Sequence, residues 1–437
     1  MEHEQRRPEE TMKTEYWRKH VREEDFLKEL ENLYPGKARE NLPRYDHLLD
    51  LFEKTYPDSR DMDVRVFSAP GRTEIGGNHT DHEHGRVLAA SVDMDMIAAA
   101  APTDDSKISV LSEGYPMCVI DLSDMAVRGN EINSTAALIR GVAKKFMDMG
   151  AVVTGFRAVV TSAVLPGSGI SSSAAFEVLI GNIVNGLFFG GKADAVKIAQ
   201  VGQYAENVYF GKPSGLMDQT ASSVGNILTI DFADPEYPVV RKLDVDFEKA
   251  GYKLCIINCW ASHAELTDEY AAIPVEEQAV AGFFGKKVLN DVPKEAFMDH
   301  IPELRKEFGD RAVLRSIHFY QDNDRVPRQA EALEKGDIRE FLDIVRESGR
   351  SSWMYLQNIV PCGANRHQEM AVALALCDEL LNGRGAYRVH GGGFAGTCQA
   401  FVPNDMIDSF VKRMNELLGD GSCHVLSIRP VGGTEVV

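Results

Sequence analysis

Four separated stretches of the chain hold residues whose types and spacing could do chemistry. The first, Gly167-Ser168-Gly169-Ile170-Ser171-Ser172-Ser173, leads from an apolar run into a helix-prone one. Glycine permits backbone conformations and close approaches that a Cβ blocks, and serine is a favoured helix N-cap. The unpaired N–H groups of a helix start, aided by the macrodipole, bind phosphate without any basic side chain. The competing reading is a capped core helix. The second stretch, Ala69 to Asp93, packs Arg72, Glu74, Asn78, His79, Asp81 and His82 among Gly71, Gly76 and Gly77. It predicts a polar loop between two strands, far longer than a tight hairpin needs. A carboxylate and an amide beside an arginine offer directional hydrogen bonds to a polyhydroxylated ligand, such as a sugar. Its rival is a zinc site from His79, His82 and His84 with Asp81, which lacks a paired signature such as His-Glu-x-x-His.

The third stretch runs from a helix end carrying Glu206 to Asp218, just after a turn of Pro213, Ser214 and Gly215. From the residues alone, Asp218 is a turn residue, a helix cap or a catalytic carboxylate. The fourth, Arg388 to Thr397, contains Gly391-x-Gly393-x-x-Gly396, formally a dinucleotide fingerprint. A strand-like Thr397–Val402 follows where that fingerprint needs a helix. These glycines therefore predict a backbone that lies against another loop or a ligand.

The elements that must position these groups follow from apolar periodicity. Amphipathic helices are expected around Phe26–Leu33 and Leu48–Phe52, packed on the outside of a first domain. Short β-rich runs follow at Val64–Ser68, Arg86–Val92, Met96–Ala101, Ile108–Leu111 and Met117–Leu122, predicting a mixed sheet. A helix at 134–149 leads to a strand, Phe156–Leu165, that empties into the glycine-serine loop. Helices are predicted at 173–188 and 193–208, and strands at Ile227–Phe232 and Tyr252–Asn258. The region 268–382 reads as helical, broken by Pro274, Pro293, Pro302, Pro327 and Pro361. Strands at Tyr387–His390, Thr397–Val402 and His424–Val431, with a helix at 404–418, complete the pattern.

With 437 residues and 44% hydrophobic content, the chain can bury two or three full cores. Its 47 Lys and Arg against 66 Asp and Glu leave a formal charge of −19, which repels a nucleic-acid backbone and offers anionic membranes no broad basic surface. Seven scattered cysteines read as buried thiols of a reducing compartment. The first ten residues lack the apolar centre of a signal peptide, and no stretch reaches the roughly 20 apolar residues of a membrane helix. A cytoplasmic protein is expected, with neither nucleic acid nor membrane as partner, as a monomer or weak homo-oligomer.

Three motifs in order, Pro70-Gly71-Arg72 through His79-Thr80-Asp81, Gly167 through Ala174, and Gly391 through Gly396, resemble the galactokinases. More widely, they resemble the small-molecule kinases grouped with homoserine, mevalonate and phosphomevalonate kinases. Asp218-Gln219 falls in that family's Gly-x-Met-Asp-Gln position, with Glu206 at the familiar distance before it, and the likeness covers about residues 45 to 437. The resemblance implies an α+β, two-domain kinase fold with mixed sheets, flanking helices and an active site in the cleft between domains. The boundaries are an N-terminal helical extension 1–60, a first kinase domain 61–245 and a second 246–437. It implies ATP-dependent phosphorylation of the anomeric hydroxyl of a sugar, galactose first. Residues 167–173 would cradle the ATP phosphates, and Ser172 or Ser173 would join Glu206 around Mg²⁺. Asp218 would be the catalytic aspartate, positioned by Arg72, which also balances charge on the γ-phosphoryl group. His79, Asp81, Gly215 and Tyr270 would line the sugar pocket.

Departures from the family pattern concentrate where the sugar would sit. Glu74 stands for its asparagine, Gly76 for isoleucine, Asn78 for glutamate and His82 for tyrosine. Asn78 is expected to contact the sugar where the family glutamate does, so L-arabinose or a uronic acid is the alternative acceptor. A non-catalytic sugar and ATP sensor of the same fold is a further alternative, set against the intact Ser173-Ala174-Ala175. The proline before the phosphate loop is shifted by one, Ala395 replaces a glycine, and the helical insert at about 275–311 aligns with nothing in the family.

Overall fold

The computed structural model describes residues 13–164, 169–261 and 266–436; Gly167 and Ser168 lie outside them. The chain opens with helices α1 (Thr14–His20), α2 (Glu24–Leu33) and α3 (Ala38–Thr55). Strands β1 (Arg65–Gly76), β2 (Arg86–Pro102), β3 (Lys107–Ser112) and β4 (Cys118–Asp121) follow, then α4 (Thr135–Asp148), β5 (Phe156–Ser162), α5 (Ser172–Phe188), α6 (Ala195–Tyr204), α7 (Met217–Val224), β6 (Ile227–Asp231) and β7 (Val239–Leu243). The remainder comprises β8 (Tyr252–Asn258), α8 (Thr267–Phe283), α9 (Lys294–Asp299), α10 (Ile301–Phe308), α11 (Asp310–Glu334), α12 (Ile338–Ser351), α13 (Glu369–Leu381), β9 (Ala386–His390), β10 (Thr397–Pro403), α14 (Ile407–Leu418), β11 (Cys423–Leu426) and β12 (Thr434–Val436).

The fold is α+β with two sheets. The larger has order β12-β1-β2-β5-β3-β4, with β6 joined to β2 and β7 to β6, and it is mixed because β3 runs parallel to β5. The smaller, β11-β8-β10-β9, is antiparallel throughout. Strand β2 spans seventeen residues, pairing with β6 through Arg86–Ala90 and with β5 through Met96–Pro102.

Period-two alternation puts Val66, Ile97, Ala99, Ala101 and Val159 on one face of the large sheet and Phe67, Ala98, Ala100, Ala158 and Val160 on the other. Trp17, Phe26, Leu30, Leu48, Leu49 and Phe52 of the first three helices cover the former face. Helices α4 to α6 cover the latter, in a core that continues to Leu254, Ile256, Phe341 and Phe401. Helices α13 and α14 pack on the far face of the small sheet. Helices α8 to α11 have a core of their own, which includes Val280, Leu289, Phe297, Leu304 and Phe319.

Three local expectations are corrected. Ala69–Gly76 is not loop but part of β1, so with β2 starting at Arg86, as its β-rich run predicts, the loop shrinks to 77–85. Register shifts between Pro70 and Arg72 and between Glu74 and Gly76 let the strand absorb its proline and glycines. Pro274 and Pro327 sit inside α8 and α11 rather than breaking them, whereas Pro293 and Pro302 do mark helix starts. The expected strand His424–Val431 ends at Leu426.

Candidate active site

The irregular strand β1, the turns at 77–85 and 391–392, and the starts of α7 and α8 converge on one cleft. It is lined by Arg72, Glu74, His79, Asp81, His82, Lys212, Ser214, Gly215, Met217, Asp218, Tyr270, Gly391 and Gly392. The sequence placed Arg72, His79, Asp81, Gly215, Asp218 and Tyr270 together, and the structure does bring them together.

At its centre Arg72 grips Asp218 with a two-pronged fork, Nε to Oδ1 at 2.5 Å and Nη2 to Oδ2 at 2.8 Å. Its third nitrogen, Nη1, donates to the Gly169 carbonyl at 2.5 Å, and its backbone N–H donates to the Ile170 carbonyl at 3.0 Å. Strand β1 is thereby tied to the loop before α5. Ser171 occupies the N-cap position of α5, yet its hydroxyl donates to Asp218 Oδ2 instead of capping the helix. Asp218 lies in the first turn of α7, where the helix dipole favours a negative charge. Burial works to raise its pKa, but Arg72, the Ser171 hydroxyl and Lys212 outweigh it, and the carboxyl is held below its ordinary value. The group is therefore an ionised acceptor at neutral pH.

Beside it, a π-helical turn (Ala205–Phe210) extends α6 and carries Glu206. Glu206 Oε1 accepts from Ser173 Oγ at 3.3 Å and from Lys212 Nζ at 3.2 Å, while Gln219 Nε2 bridges Glu206 Oε2 and Glu177 Oε2, each at 2.9 Å. Burial, reinforced by Glu206, pushes the Glu177 carboxyl well above its ordinary value. Ser173, rather than Ser172, is the serine whose hydroxyl meets Glu206.

On the opposite wall, His79 and His84, both with positive φ, flank a 3₁₀ turn (Thr80–Glu83) that presents Asp81 and His82. Burial pushes His79 down to about 3, with His82 adding to the fall, so the ring is neutral. Its Nε2 donates to the Gly392 carbonyl at 3.0 Å, which leaves Nδ1 a buried acceptor without a partner among the described residues. Burial also raises Asp81, with His82 opposing and Asp218 adding to the rise. Tyr270, from α8, shares a 2.9 Å hydrogen bond with His82 Nε2 and packs its ring 5.1 Å from that of His79. Two glycines are needed for these close approaches. A Cβ on Gly215 would sit 1.8 Å from Asp81 Oδ2, and one on Gly392 would sit 2.5 Å from the Tyr270 ring.

Helix α11 holds this wall from behind. Asp322 Oδ2 accepts from Asn78 N at 2.7 Å, Asn323 Oδ1 accepts from Arg86 N at 2.7 Å, and His318 Nε2 meets Asn78 O at 3.1 Å. The glycine run between β9 and β10 lies against this loop, with Gly391 O accepting from Asn78 and Gly392 O from His79.

Asn78, expected to touch a sugar, departs from that expectation. It is fully buried, does not line the cleft, and both ends of its amide are engaged within the protein. Glu74 lines the cleft instead. Lys212 was missed because a single lysine in a turn gives no spacing signal. His82, read as a departure, is bonded to Tyr270. The zinc reading has no counterpart, since among the described residues no three His, Cys, Asp or Glu side chains gather as metal ligands. All seven cysteines are free thiols, and among the described residues no helix is long and apolar enough to cross a membrane.

Parts of the chain match known families, and its fold is similar to solved structures. Residues 50–102 match the galactokinase galactose-binding signature, and residues 137–226 match the GHMP kinase N-terminal domain. The fold is similar to that of Lactococcus lactis galactokinase complexed with galactose, at 23% identity, covering 89% of this chain and 99% of that one with a TM-score of 0.76. It is also similar to Methanococcus jannaschii mevalonate kinase, at 15% identity, 83% and 98% coverage and a TM-score of 0.59. A third neighbour is Streptococcus pneumoniae phosphomevalonate kinase in complex with phosphomevalonate and AMPPNP, at 11% identity, 85% and 99% coverage and a TM-score of 0.57.

Proposed function

We propose that this chain, which carries the galactokinase galactose-binding signature and a GHMP kinase N-terminal domain on their shared fold, is an ATP-dependent sugar 1-kinase acting on galactose. The observation that carries the reading is an ionised Asp218, clamped by Arg72 and Ser171, facing a cleft whose other wall offers His79 Nδ1 and Asp81 to hydroxyl groups. Asp218 takes the proton of the anomeric hydroxyl as its oxygen attacks the γ-phosphorus of ATP and ADP departs. Arg72 fixes the orientation of Asp218 and sets positive charge beside the transferring group. The start of α5, following Ser171, supplies N–H groups for the ATP phosphates, together with Gly169 and Ile170 before it.

Ser173 Oγ and Glu206 Oε1, side by side at 3.3 Å, suit Mg²⁺, which takes few protein oxygens and completes its shell with phosphate and water. Bound there, the ion would neutralise phosphate charge.

A coupled assay for ADP with Mg²⁺-ATP and a panel of aldoses tests the reading, with galactose-dependent ADP release as the expected result. Absence of turnover with every aldose would remove it. A second expectation concerns Gly215→Ala, whose methyl group would displace the Asp81 carboxylate. Misplacement of this size is expected to lower kcat/KM for the sugar by about 10²-fold, leaving the KM for ATP near its starting value. Initial rates with each substrate varied in turn check this, and an unchanged sugar KM would place Asp81 outside the acceptor site.

A further inference from the structure

Relative to the family pattern, positions 74 and 78 have exchanged a carboxylate and an amide, and the structure shows that the two side chains touch. Asn78 Nδ2 donates to Glu74 Oε1 at 3.0 Å. An asparagine side chain has two donors and two acceptor positions, and in Asn78 all four are taken. Nδ2 gives to Glu74 and to Gly391 O at 2.8 Å, and Oδ1 accepts from Asn358 Nδ2 at 2.9 Å and Ser352 Oγ at 3.2 Å. Its backbone is likewise bonded, to Asp322 and His318. Asn78 has nothing left for a ligand.

Glu74 is the opposite case. Oε1 accepts both from Asn78 and from Arg388 Nη2 at 2.5 Å, so the carboxylate is fixed at one end. Among the described residues Oε2 makes no hydrogen bond, although Glu74 is only 2% exposed and lines the cleft. A carboxylate oxygen held at the cleft without a protein donor is free to accept one from a ligand. Burial raises Glu74 to about 7 against the pull of Arg388 and Arg72, with Asp81 adding to the rise. Ionised, its outer oxygen accepts from a hydroxyl and repels a second carboxylate.

We infer that Glu74, anchored by Asn78 and Arg388, is the residue that reads one hydroxyl of a neutral sugar acceptor and discriminates against acceptors bearing a carboxylate. This rests on the sugar-kinase reading and narrows its substrate class, setting aside a uronic acid. Two carboxyl groups in contact within one small site cannot both stay ionised, so a uronate must take up a proton with Glu74 to bind there and loses affinity above pH 7, whereas a hydroxyl donates to the ionised Oε2 without that cost.

The test measures kcat/KM of the full-length protein for galactose, for its 2-, 3-, 4- and 6-deoxy analogues and for galacturonate. In the natural protein one deoxy sugar is expected to lose roughly tenfold to a hundredfold more than the others, the range of a hydrogen bond to a charged group. At pH 8, where Glu74 is ionised, galacturonate is expected to be the poorer substrate by a similar factor. In Glu74→Gln the selective deoxy penalty should shrink and the gap to galacturonate narrow, with the KM for ATP and the thermal midpoint showing that the fold persists. If Glu74→Gln does not fold, the exchanged pair Glu74→Asn with Asn78→Glu keeps one carboxylate and one amide in contact. Its deoxy profile should differ from that of the natural protein. A natural protein that turns over galactose but prefers galacturonate, or a deoxy profile identical in the natural protein and a folded variant, overturns the inference. Absence of any sugar turnover by the natural protein would strike the kinase reading itself, so the two failures are distinct.

Discussion

Asp218→Asn is expected to lower kcat by about 10²–10⁴-fold, the range a positioned general base contributes, while the sugar KM changes little. The substitution is nearly isosteric, so the shape of the cleft survives. Asparagine, however, can accept from only one prong of the Arg72 fork, and its NH₂ faces guanidinium hydrogens where a carboxylate oxygen had been. The acceptor hydroxyl then has no anion to receive its proton. Steady-state rates with saturating Mg²⁺-ATP and galactose check this. A kcat within a factor of a few of the natural protein would mean that in-line placement alone carries the reaction, as a loose phosphoryl-transfer transition state allows, and that Asp218 is no base. Since Asp218 is held below its ordinary value of 3.8, the natural protein should show no acid limb from this group near neutrality.

Arg72→Ala should have the second largest effect, on rate and stability together. Removing one partner of a buried ion pair leaves the other charge uncompensated, at a cost of about 3–5 kcal/mol. Asp218 keeps 28% of its side-chain surface open to the cleft, which places the expected loss at the lower end of that range. The sign with pH follows from the same contacts. In the natural protein the depressed pKa of Asp218 contributes stability above its unfolded value, lost only as pH falls through the folded one. Without Arg72 the dominant counter to burial disappears and the pKa of Asp218 rises. The stability difference between the two proteins should therefore shrink as pH is lowered and Asp218 becomes neutral. An acid limb should also appear in the rate profile of the variant. Urea unfolding at several pH values, with the pH dependence of kcat, measures both. Arg72→Lys should resemble the alanine variant more than the natural protein, because an ammonium cannot reach both Asp218 oxygens and the Gly169 carbonyl at once. A stability difference that grows toward acid pH would contradict this account.

Much of the architecture was legible because periodicity and caps are local. Helices α4 and α5 and strands β8 to β10 fall within a few residues of where their patterns put them. What was not legible depended on distant partners. Pro70 and Gly71 read as loop, yet a β-strand tolerates them when its register shifts and a neighbour takes up the backbone groups, as Ile170 O does for Arg72 N. Strand β7 carries Arg241 and Lys242 with a mostly exposed face, so no apolar alternation marks it. Within the site, the meeting of Arg72, Asp218 and Asp81 in one cleft was expected from the family resemblance of their motifs. The fate of Asn78 was not, because its partners come from positions 74, 352, 358 and 391.

Strand β12 has a consequence for how the molecule is made. Its residues Thr434–Val436 pair with Val66–Ser68 of β1, the strand that carries Arg72, and Arg65 meets Glu435 beside that seam. The partners are separated by about 370 residues, and at ribosomal rates of roughly 5–20 residues per second the wait is on the order of 20–70 s. Throughout that interval the nascent chain exposes an open edge of β1, the strand bearing Arg72, a template for intermolecular pairing. Chaperone dependence during synthesis, and aggregation of chains stalled before codon 434, would follow from this seam rather than from any weakness of the finished fold.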